Sequence, residues 1–242
     1  MKPQPNPKQD EIKGIFDSLA PRYDIFNRLT SVGLDGVWRR KILKGIKPGA
    51  RVLDLGCGTG DLCLAIAKKI RTDGYTVGLD FSESMLLIAR KRYERMGCPA
   101  NGHFELVQKS AEELPLKTGP FDLVVSGFVL RNIYEHIDPI LAGVHASLKN
   151  NGEIRFLDFT EPDGRLRRAV WHFYMNTVAE FYGKLLFGKR FPTGYMSQSA
   201  ARFAKPDSFV EKLRRIGFRQ IEVRRFMMGS IVLYTAKKSE GV

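Results

Sequence analysis

The sequence predicts an α/β fold built on a mainly parallel β-sheet, with helices on both faces and an antiparallel C-terminal strand. Strand-like apolar runs alternate with helical segments from residue 51 to residue 159, a pattern typical of parallel sheets with right-handed crossovers. Three glycines separate the first strand from its helix, which is the usual position of a ligand-binding turn. Two strands then close the chain as a hairpin, which adds antiparallel pairing to such a sheet.

The first two strand–helix units follow one another directly. The apolar run 52–55 is predicted to be the first strand, and the apolar stretch 62–70 is the helix after it. The second strand covers 75–79, and Ser82 then provides the N-cap of a helix that ends near Met96. A serine at this position accepts a hydrogen bond from the backbone of the first helical turn.

Three more strands are predicted at 103–108, 121–126 and 153–159. Between the last two, a helix over 137–148 is expected to stop at the turn signal Asn150-Asn151-Gly152. Ligands of open α/β sheets bind outside the carboxyl ends of the strands. Residues that directly follow these strands are therefore the first candidates for a functional site.

After Pro162 the pattern becomes mainly helical. Apolar residues recur at a period close to 3.6 over 165–186, which predicts one long helix. No repeat or long linker divides the chain, so the prediction is a single domain over residues 1–242 with a helical insertion over 160–205. The remaining predicted elements are a helix from Lys205 that ends at Gly217, and two strands, 220–226 and 230–236.

The run from Asp54 to Gly60 (Asp-Leu-Gly-Cys-Gly-Thr-Gly) indicates a nucleoside cofactor, because it lies between a strand and a helix. Glycines there let the backbone approach a ligand closely, and Asp80 at the end of the second strand can accept both hydroxyls of a ribose. The loop has no lysine of the kind found in phosphate-binding loops, and Asp61 at the N-terminus of the following helix would repel a diphosphate. Both features argue against a cofactor that is bound through its phosphates. The alternative is a tight turn without a ligand, in which three glycines cost roughly 1 kcal/mol each in chain entropy.

This Asp-x-Gly-x-Gly-x-Gly pattern resembles the binding loop of the Rossmann-like methyltransferases for S-adenosyl-L-methionine (AdoMet), a ligand without phosphate. The resemblance implies AdoMet as cofactor, with Asp54 orienting either the loop or the amino group of the cofactor. Ser110 is expected to accept from adenine N6, the Ala111 N–H to reach N1, and Met85 to pack on the adenine or else in the core. The predicted cofactor-binding residues are Asp54, Gly56, Cys57, Gly58, Thr59, Gly60, Asp80, Phe81, Met85, Ser110, Ala111 and Phe128.

Composition narrows the class of protein. With 242 residues, 43% of them hydrophobic, the chain can bury one sizeable core, and no apolar stretch approaches the roughly 20 residues of a membrane span. The polar start lacks the apolar centre of a secretory signal. Three cysteines and four histidines show no metal-ligand spacing, so we expect no metal, reduced thiols and a cytoplasmic location.

The net charge of +13 is the unusual part of the composition. A basic surface suits nucleic acid, an anionic membrane or solubility alone, and solvated helix faces are the simplest explanation of most basic runs. Over 165–190, however, basic residues flank an aromatic-rich amphipathic stretch, as in helices that lie at a membrane surface. The segment is thus either a peripheral contact with the inner face of the cell membrane or a lid packed on the protein's own core.

Further segments resemble one methyltransferase family. They are Phe16-Asp-Ser-Leu-Ala-Pro-Arg-Tyr-Asp-Ile-Phe-Asn27, 34–40, Phe128-Val-Leu-Arg-Asn132, Phe159-Thr-Glu-Pro162 and 195–199. Together they are similar to the ubiquinone/menaquinone biosynthesis C-methyltransferases, from about Ile15 to Ala236. The resemblance implies AdoMet-dependent C-methylation of a reduced polyprenyl quinone, either demethylmenaquinol or a demethylated benzoquinol. It also implies an N-terminal helical cover, residues 1–48, that closes over the cofactor.

The sequence departs from the family pattern at several positions. Val129 replaces a glycine, Ser110 replaces the aspartate of an Asp-Ala pair, and 235–238 replace a Gly-Tyr-Lys ending. The identity of the acceptor therefore stays open. The alternatives are another small aromatic or lipid acceptor, RNA, or a non-catalytic AdoMet-binding subunit.

Carbon methylation of a hydroquinone requires a phenolate and a collinear arrangement of acceptor, methyl group and sulfur. Arg131 and Asn132 are the first candidates, because a permanently charged guanidinium suits a phenolate oxygen. The resemblance implies that both line the acceptor pocket and that Arg131 relays the proton through water. The alternative is a helix-capping asparagine beside a surface arginine.

Tyr23 is the third catalytic candidate and lies with Asp24 in the predicted cover. The alternative for this pair is an ordinary packed tyrosine beside a solvated aspartate. Tyr195 and Ser199 are weaker candidates in the lid. The expected partner is a lipid-soluble quinol, nucleic acid is not expected, and a homodimer is compatible with the sequence.

Overall fold

A seven-stranded sheet forms the centre of the protein in the computed structural model, which describes residues 14–70, 73–97, 103–203 and 205–239. The strands are β1 (Arg51–Leu55), β2 (Tyr75–Asp80), β3 (His103–Gln108), β4 (Phe121–Gly127), β5 (Leu148–Phe159), β6 (Phe218–Phe226) and β7 (Ile231–Lys238). Their spatial order is β3-β2-β1-β4-β5-β7-β6. The first five strands are parallel, and β7 lies antiparallel between β5 and β6. The predicted parallel sheet with an antiparallel C-terminal edge is confirmed.

Helices cover both faces of this sheet, as predicted. They are α1 (Tyr23–Thr30), α2 (Asp35–Ile42), α3 (Asp61–Ile70), α4 (Glu83–Arg95), α5 (Ile137–Ser147), α6 (Arg165–Tyr174), α7 (Glu180–Phe187), α8 (Tyr195–Arg202) and α9 (Pro206–Ile216). Side chains alternate between the two faces along β1 because successive strand residues point in opposite directions. Leu53 packs with Ile140 of α5 on one face, whereas Val52 packs with Trp38 of α2 on the other.

One predicted strand boundary was wrong, and one predicted helix is not continuous. β5 begins at Leu148, before the turn that was predicted at 150–152, and the turn lies inside the strand as an irregularity. Asn151 adopts a φ of +62° there, a conformation that asparagine tolerates better than most residues. The stretch 165–186 is helical but not uniform, because the π-helical segment Met175–Ala179 joins α6 to α7.

The N-terminal cover lies at the carboxyl edge of the sheet. Residues 14–19 are helical and lead through the 3-10 turn Ala20–Arg22 into α1. The Phe16 and Phe81 rings meet edge to face at 6.3 Å, and the Ser82 hydroxyl donates to Asp17 Oδ1 at 2.5 Å. These contacts hold the cover against the residues that follow β2. The first thirteen residues of the predicted cover lie outside the described residues.

The insertion over 160–205 contributes α6, α7 and α8, which pack beside the cover. Trp171 and Met175 are buried against Ala200 of α8, so this part of the insertion forms a small core of its own. In the described ranges, we find no helix with the length and apolar character needed to cross a bilayer.

Candidate active site

The glycine loop links the ends of β1 and β2. The backbone N–H groups of Gly56 and Cys57 donate to the Leu79 carbonyl at 2.8 and 2.9 Å, and the Gly58 N–H donates to Asp80 Oδ2 at 2.8 Å. Gly58 has a φ of +53°, and no heavy atom outside its chain neighbours lies within 4 Å of the position a β-carbon would take. The loop therefore offers bare backbone to a ligand at Gly58.

The other two glycines are required by packing. A β-carbon on Gly56 would lie 2.5 Å from Val129 Cγ2, so the valine that departs from the family pattern packs directly on the loop. A β-carbon on Gly60 would lie 3.0 Å from Leu64 and 3.1 Å from Ala89. Gly60 is not among the residues that line the cavity described below, and the position of its missing β-carbon faces Leu64 of α3 and Ala89 of α4, so its predicted contact with the cofactor stays a prediction.

One large cavity, of about 1030 Å³, opens at the carboxyl edge of the sheet. Its wall includes every predicted cofactor and catalytic residue except Gly60: Tyr23, Asp54, Gly56, Cys57, Gly58, Thr59, Asp80, Phe81, Met85, Ser110, Ala111, Phe128, Arg131 and Asn132. A second part of the wall comes from 133–140 and from α8. The volume is at the upper end of the range for one small-molecule pocket, so the cavity can hold a cofactor and an acceptor together.

Asp54 is a buried carboxyl group in the wall of this cavity. Burial raises its pKa to about 7, against a smaller opposing effect of the Cys63 backbone N–H, and neither carboxyl oxygen makes a hydrogen bond of ordinary geometry to a described residue. Of its two predicted roles, the unpaired carboxyl oxygens favour contact with the amino group of the cofactor over orientation of the loop. A cationic amino group from a ligand would satisfy it.

Asp80 lies at the end of β2 with both oxygens on backbone donors. Oδ2 accepts from the Gly58 N–H, and Oδ1 accepts from the Ser82 N–H at 2.9 Å. Burial raises the pKa of this carboxyl group, although these backbone hydrogen bonds oppose the shift. Each carboxylate oxygen has a further lone pair, so Asp80 can also accept a ribose hydroxyl.

Two of the residues predicted to contact the adenine, Ser110 and Met85, already make contacts within the protein. Ser110 caps the 3-10 turn Ala111–Glu113, where its hydroxyl oxygen accepts from the Glu112 N–H at 3.3 Å. Met85 is buried and lines the cavity, so its two predicted roles, core packing and adenine contact, are compatible. Ser82 caps α4 as predicted, by accepting from the Met85 N–H.

Arg131 follows β4 and is buried, with 3% of its side chain exposed. Its Nη1 donates to Asp158 Oδ1 at 2.9 Å and to the Phe128 carbonyl at 2.6 Å, and its guanidinium lies over the Phe159 ring. The alternative of a surface arginine is therefore wrong. Burial lowers the pKa of Arg131, but the charge and hydrogen bond of Asp158 together with the Tyr23 and Tyr195 phenols outweigh that effect, so the pKa is raised and the guanidinium stays charged.

Tyr23 and Tyr195 bring two phenols to the same region. The Tyr195 hydroxyl donates to Asn132 Oδ1 at 3.0 Å. Burial raises the pKa of both phenols, and the charge of Arg131 partly offsets this effect in each. Both phenols are therefore protonated at neutral pH and can donate hydrogen bonds beside the cation.

Asp24 joins the cover to the glycine loop. Its carboxylate accepts from the Thr59 hydroxyl at 2.5 Å and from Arg92 Nη1 at 2.9 Å. Burial raises the pKa of Asp24, while Thr59 and Arg92 oppose that shift. Asp24 is thus a paired carboxylate that is also partly solvated, since 41% of its side chain is exposed.

Two residues of this site were missed or underrated in the sequence. Asp158, the partner of Arg131, is a charged residue between the apolar Leu157 and Phe159 at the end of β5, and that contrast with its neighbours was the available signal. Tyr195 comes from the insertion, and only the fold shows that α8 reaches Asn132. In the ranges that the structure describes, we find no His, Cys, Asp and Glu cluster suited to a metal ion.

The residues present fit AdoMet. The unsatisfied Asp54 carboxyl matches the amino group of its methionine part, Asp80 matches its ribose, and the open backbone at Gly58 permits close approach. Phe81 and Met85 offer apolar surface next to them.

The chain is similar in sequence to known methyltransferases over nearly its whole length. The family model described as the ubiE/COQ5 methyltransferase family matches residues 5–238. A demethylmenaquinone methyltransferase of Lactiplantibacillus plantarum is 31% identical over 229 residues, which are 94% of this chain and 95% of that protein. The ubiquinone/menaquinone biosynthesis C-methyltransferase UbiE of Citrifermentans bemidjiense is 33% identical over 96% of this chain and 97% of its own length.

Solved structures show the same fold at lower identity. Magnesium protoporphyrin IX methyltransferase from Synechocystis, crystallised with bound SAH, matches with a TM-score of 0.65 and 17% identity over 96% of this chain and all of its own. A SAM-dependent methyltransferase from Aquifex aeolicus matches with a TM-score of 0.61 and 17% identity over 87% of this chain and 92% of its own. The fold is therefore the Rossmann-like methyltransferase fold. With the family model and the curated relatives covering nearly the whole sequence, this chain belongs to the ubiE/COQ5 methyltransferase family.

Proposed function

We propose that this AdoMet-dependent methyltransferase methylates a ring carbon of a reduced polyprenyl quinone in respiratory quinone biosynthesis. The acceptor is demethylmenaquinol or a demethylated benzoquinol, the ring types that the names of its relatives indicate. The observation that carries the proposal is the buried, charged Arg131 with two phenols and an amide beside it in the wall of the cavity. Such a group of donors suits an aromatic ring whose hydroxyl loses a proton.

The glycine loop and its neighbours would hold the cofactor. Asp54 would take the amino group and Asp80 the ribose, while Phe81 and Met85 would pack on the adenine. Bound AdoMet supplies an electrophilic methyl group on a sulfonium. The protein's part in the reaction is to place an activated ring carbon in line with that methyl group.

Arg131 acts on the acceptor by charge. Because Asp158 keeps its guanidinium protonated, Arg131 is a poor base, but its positive charge lowers the pKa of a nearby acceptor hydroxyl. The hydroxyl loses its proton to water, and the resulting phenolate makes the ring carbon nucleophilic. Once that carbon has taken the methyl group, it releases its own hydrogen to water as a proton, which restores the aromatic ring. A buried cation stabilises this anion more than a solvated one would, since the local dielectric constant is low.

The Tyr23 and Tyr195 phenols and the Asn132 amide orient the acceptor ring in the cavity. Tyr23 remains protonated, so it can donate a hydrogen bond to an acceptor oxygen. Tyr195 remains protonated too, but its single hydrogen goes to Asn132 Oδ1, so its oxygen can only accept a hydrogen bond from an acceptor hydroxyl. Tyr195 also fixes the Asn132 side chain through its hydrogen bond. Asp24 holds the cover to Thr59 of the glycine loop, and Asp17 holds it to Ser82.

The acceptor carries an isoprenoid tail, and we infer that the enzyme meets it at the cytoplasmic face of the cell membrane. The segment 165–190 supports this inference, because Leu166, Phe173 and Phe181 are more than half exposed on it beside basic residues. Exposed apolar and basic side chains on one amphipathic helix are typical of proteins that bind a lipid surface.

A methyl-transfer assay with radiolabelled AdoMet tests the reaction. Demethylmenaquinol, a demethylated benzoquinol and bulk RNA are offered separately under reducing conditions. We expect label in one or both quinols and none in RNA. Label in RNA alone overturns the proposal, as does AdoMet binding with no label in any acceptor, which would indicate a non-catalytic subunit.

A further inference from the structure

Exposed apolar side chains are concentrated on three elements of this protein. Among the described residues, twelve large apolar residues are exposed. Three lie on α1 and the turn after it, five on α6 and α7, and two between β6 and β7; Val37 and Leu87 are the remaining two. Large grouped apolar surfaces on soluble proteins generally mark a binding site.

The three elements are neighbours. The Tyr174 hydroxyl at the end of α6 donates to the Thr30 carbonyl of α1 at 3.0 Å, and Arg22 donates to the Leu186 carbonyl of α7 at 2.6 Å. The β6–β7 hairpin joins the start of α6 through an ion pair of 2.6 Å between Arg225 and Asp163. We call the exposed apolar residues of these elements the apolar surface.

The backbone is strained at two places in the apolar surface, the turn after α1 and the turn between β6 and β7. Val32 has a φ of +51° and is 76% exposed, while Met227 and Met228 have φ values of +48° and +56°. Non-glycine residues rarely adopt such angles, and for a β-branched valine they are an outlier. Stability of the folded chain alone favours glycine or asparagine at these positions, so the apolar side chains there indicate a functional use.

The charges around the apolar surface select its partner. Arg165 and Arg167 are exposed on α6, and Lys189 is exposed in the turn that follows α7; Arg28 on α1 is exposed too but pairs with Asp35 at 3.6 Å. The nearby acidic groups are already paired: Asp163 with Arg225 and Glu180 with Lys184. A second copy of this chain would bring the same positive charge, whereas anionic lipid headgroups complement it.

We propose that the apolar surface is a three-part docking site for an anionic lipid bilayer, in which α1 and the β6–β7 hairpin enter the interface together with α6 and α7. The inference extends the membrane contact of the proposed function from one segment to three. α1 also carries Tyr23 in the cavity wall. Docking through α1 therefore brings the bilayer next to the cavity, where a lipid-borne acceptor has to enter.

Sedimentation with vesicles of phosphatidylglycerol and phosphatidylethanolamine tests this docking site. Ile25→Gln, Phe173→Gln and Met228→Gln each remove one exposed apolar side chain from a different element without changing the charge. Leu87→Gln is the matched control, because Leu87 is 51% exposed on α4, outside the apolar surface. We expect each of the first three to weaken vesicle binding about tenfold, as for a lost buried apolar side chain, and the control to bind like the native protein.

Absence of vesicle binding overturns the proposal. It is also overturned if only Phe173→Gln weakens binding, because the site is then confined to α6 and α7. A third contrary result is a dimer in sedimentation velocity that these variants dissociate without any effect of lipid. Methylation of a short-chain, water-soluble demethylmenaquinol without vesicles reports separately on the proposed function, and we expect all four variants to retain it.

Discussion

Arg131 and Asp158 form a buried ion pair beneath the cavity, with the Asp158 carboxylate accepting from Arg131 Nη1 at 2.9 Å and from the Arg131 backbone N–H at 3.0 Å. The second contact fixes the backbone after β4 as well as the side chain. The cation proposed to act on the acceptor is thus set in place before the acceptor binds. Preorganised charge of this kind costs no rearrangement during the reaction.

Removing one partner of the pair is expected to destabilise the protein. Asp158→Ala leaves the Arg131 charge buried and unpaired, so we expect a loss of about 3–5 kcal/mol in the free energy of unfolding. Asp158→Asn keeps one acceptor oxygen and should lose less stability, but turnover should still fall at least about tenfold. Urea titration and kcat measured on the folded fraction check both values; native kcat in Asp158→Asn would contradict the positioning role.

Binding and turnover should separate between Asp80 and Arg131. Asp80→Ala removes the acceptor for the Gly58 and Ser82 N–H groups, so we expect the Kd for AdoMet to rise about tenfold or more. Arg131→Gln should lower kcat with the Kd for AdoMet nearly unchanged. Isothermal titration and single-turnover kinetics measure the two quantities, and an equal loss of AdoMet binding in both variants would refute the assignment.

The affinity for AdoMet should depend on pH through Asp54. Its pKa of about 7 means that the carboxyl group is increasingly protonated below neutrality, and only the ionised form pairs with an amino group. The Kd for AdoMet should therefore rise about tenfold for each pH unit below 7. Asp54→Asn should bind AdoMet weakly at every pH. If the Kd of this variant still changes with pH in the same way, another group is responsible for the pH dependence.

The same raised pKa gives the unliganded protein the opposite trend in stability. The folded state binds a proton that the unfolded state has released, so the contribution of Asp54 to the free energy of unfolding decreases as pH rises from about 4 to about 7. Comparing native protein with Asp54→Asn in urea across this window isolates that contribution, because the asparagine cannot titrate.

Gly56→Ala should destabilise the folded protein for two separable reasons. The added β-carbon would lie 2.5 Å from Val129 Cγ2, and the φ of +71° disfavours any side chain. We expect a loss of stability of about 2–4 kcal/mol from the two effects together. Adding Val129→Gly removes the steric clash but not the backbone strain. The Tm of the double variant should therefore lie between the Tm of the native protein and that of Gly56→Ala.

Tyr195→Phe tests the contact between the insertion and the site. The variant removes the hydroxyl that donates to Asn132 Oδ1 and leaves the ring in place. We expect a fall in kcat of about tenfold, a stability change near 1 kcal/mol, and unchanged AdoMet affinity. Tyr182→Phe on α7 is the matched control, since Tyr182 does not line the cavity; equal effects in both would deny Tyr195 a specific role.

Much of the fold was predictable because its signals are local. The alternation along 51–159, the N-cap at Ser82 and the helix stop at Gly217 each depend on neighbouring residues, and the structure confirms them. The π-helical segment and the start of β5 were not predictable in this way. They depend on packing against distant parts of the chain, which outweighs local propensity.

The sequence by itself predicted the cofactor site, since Asp54, the glycine loop and Asp80 lie at or directly after the carboxyl ends of two adjacent parallel strands and must meet at one edge of the sheet. Only the tertiary structure decided what surrounds Arg131. Asp158, Tyr195 and Tyr23 lie 27, 64 and 108 residues away from it along the chain; they meet because β5 pairs with β4 and because the insertion and the cover pack over the same edge. Contacts of that range are set by sheet order and helix packing, which no local pattern of residues encodes.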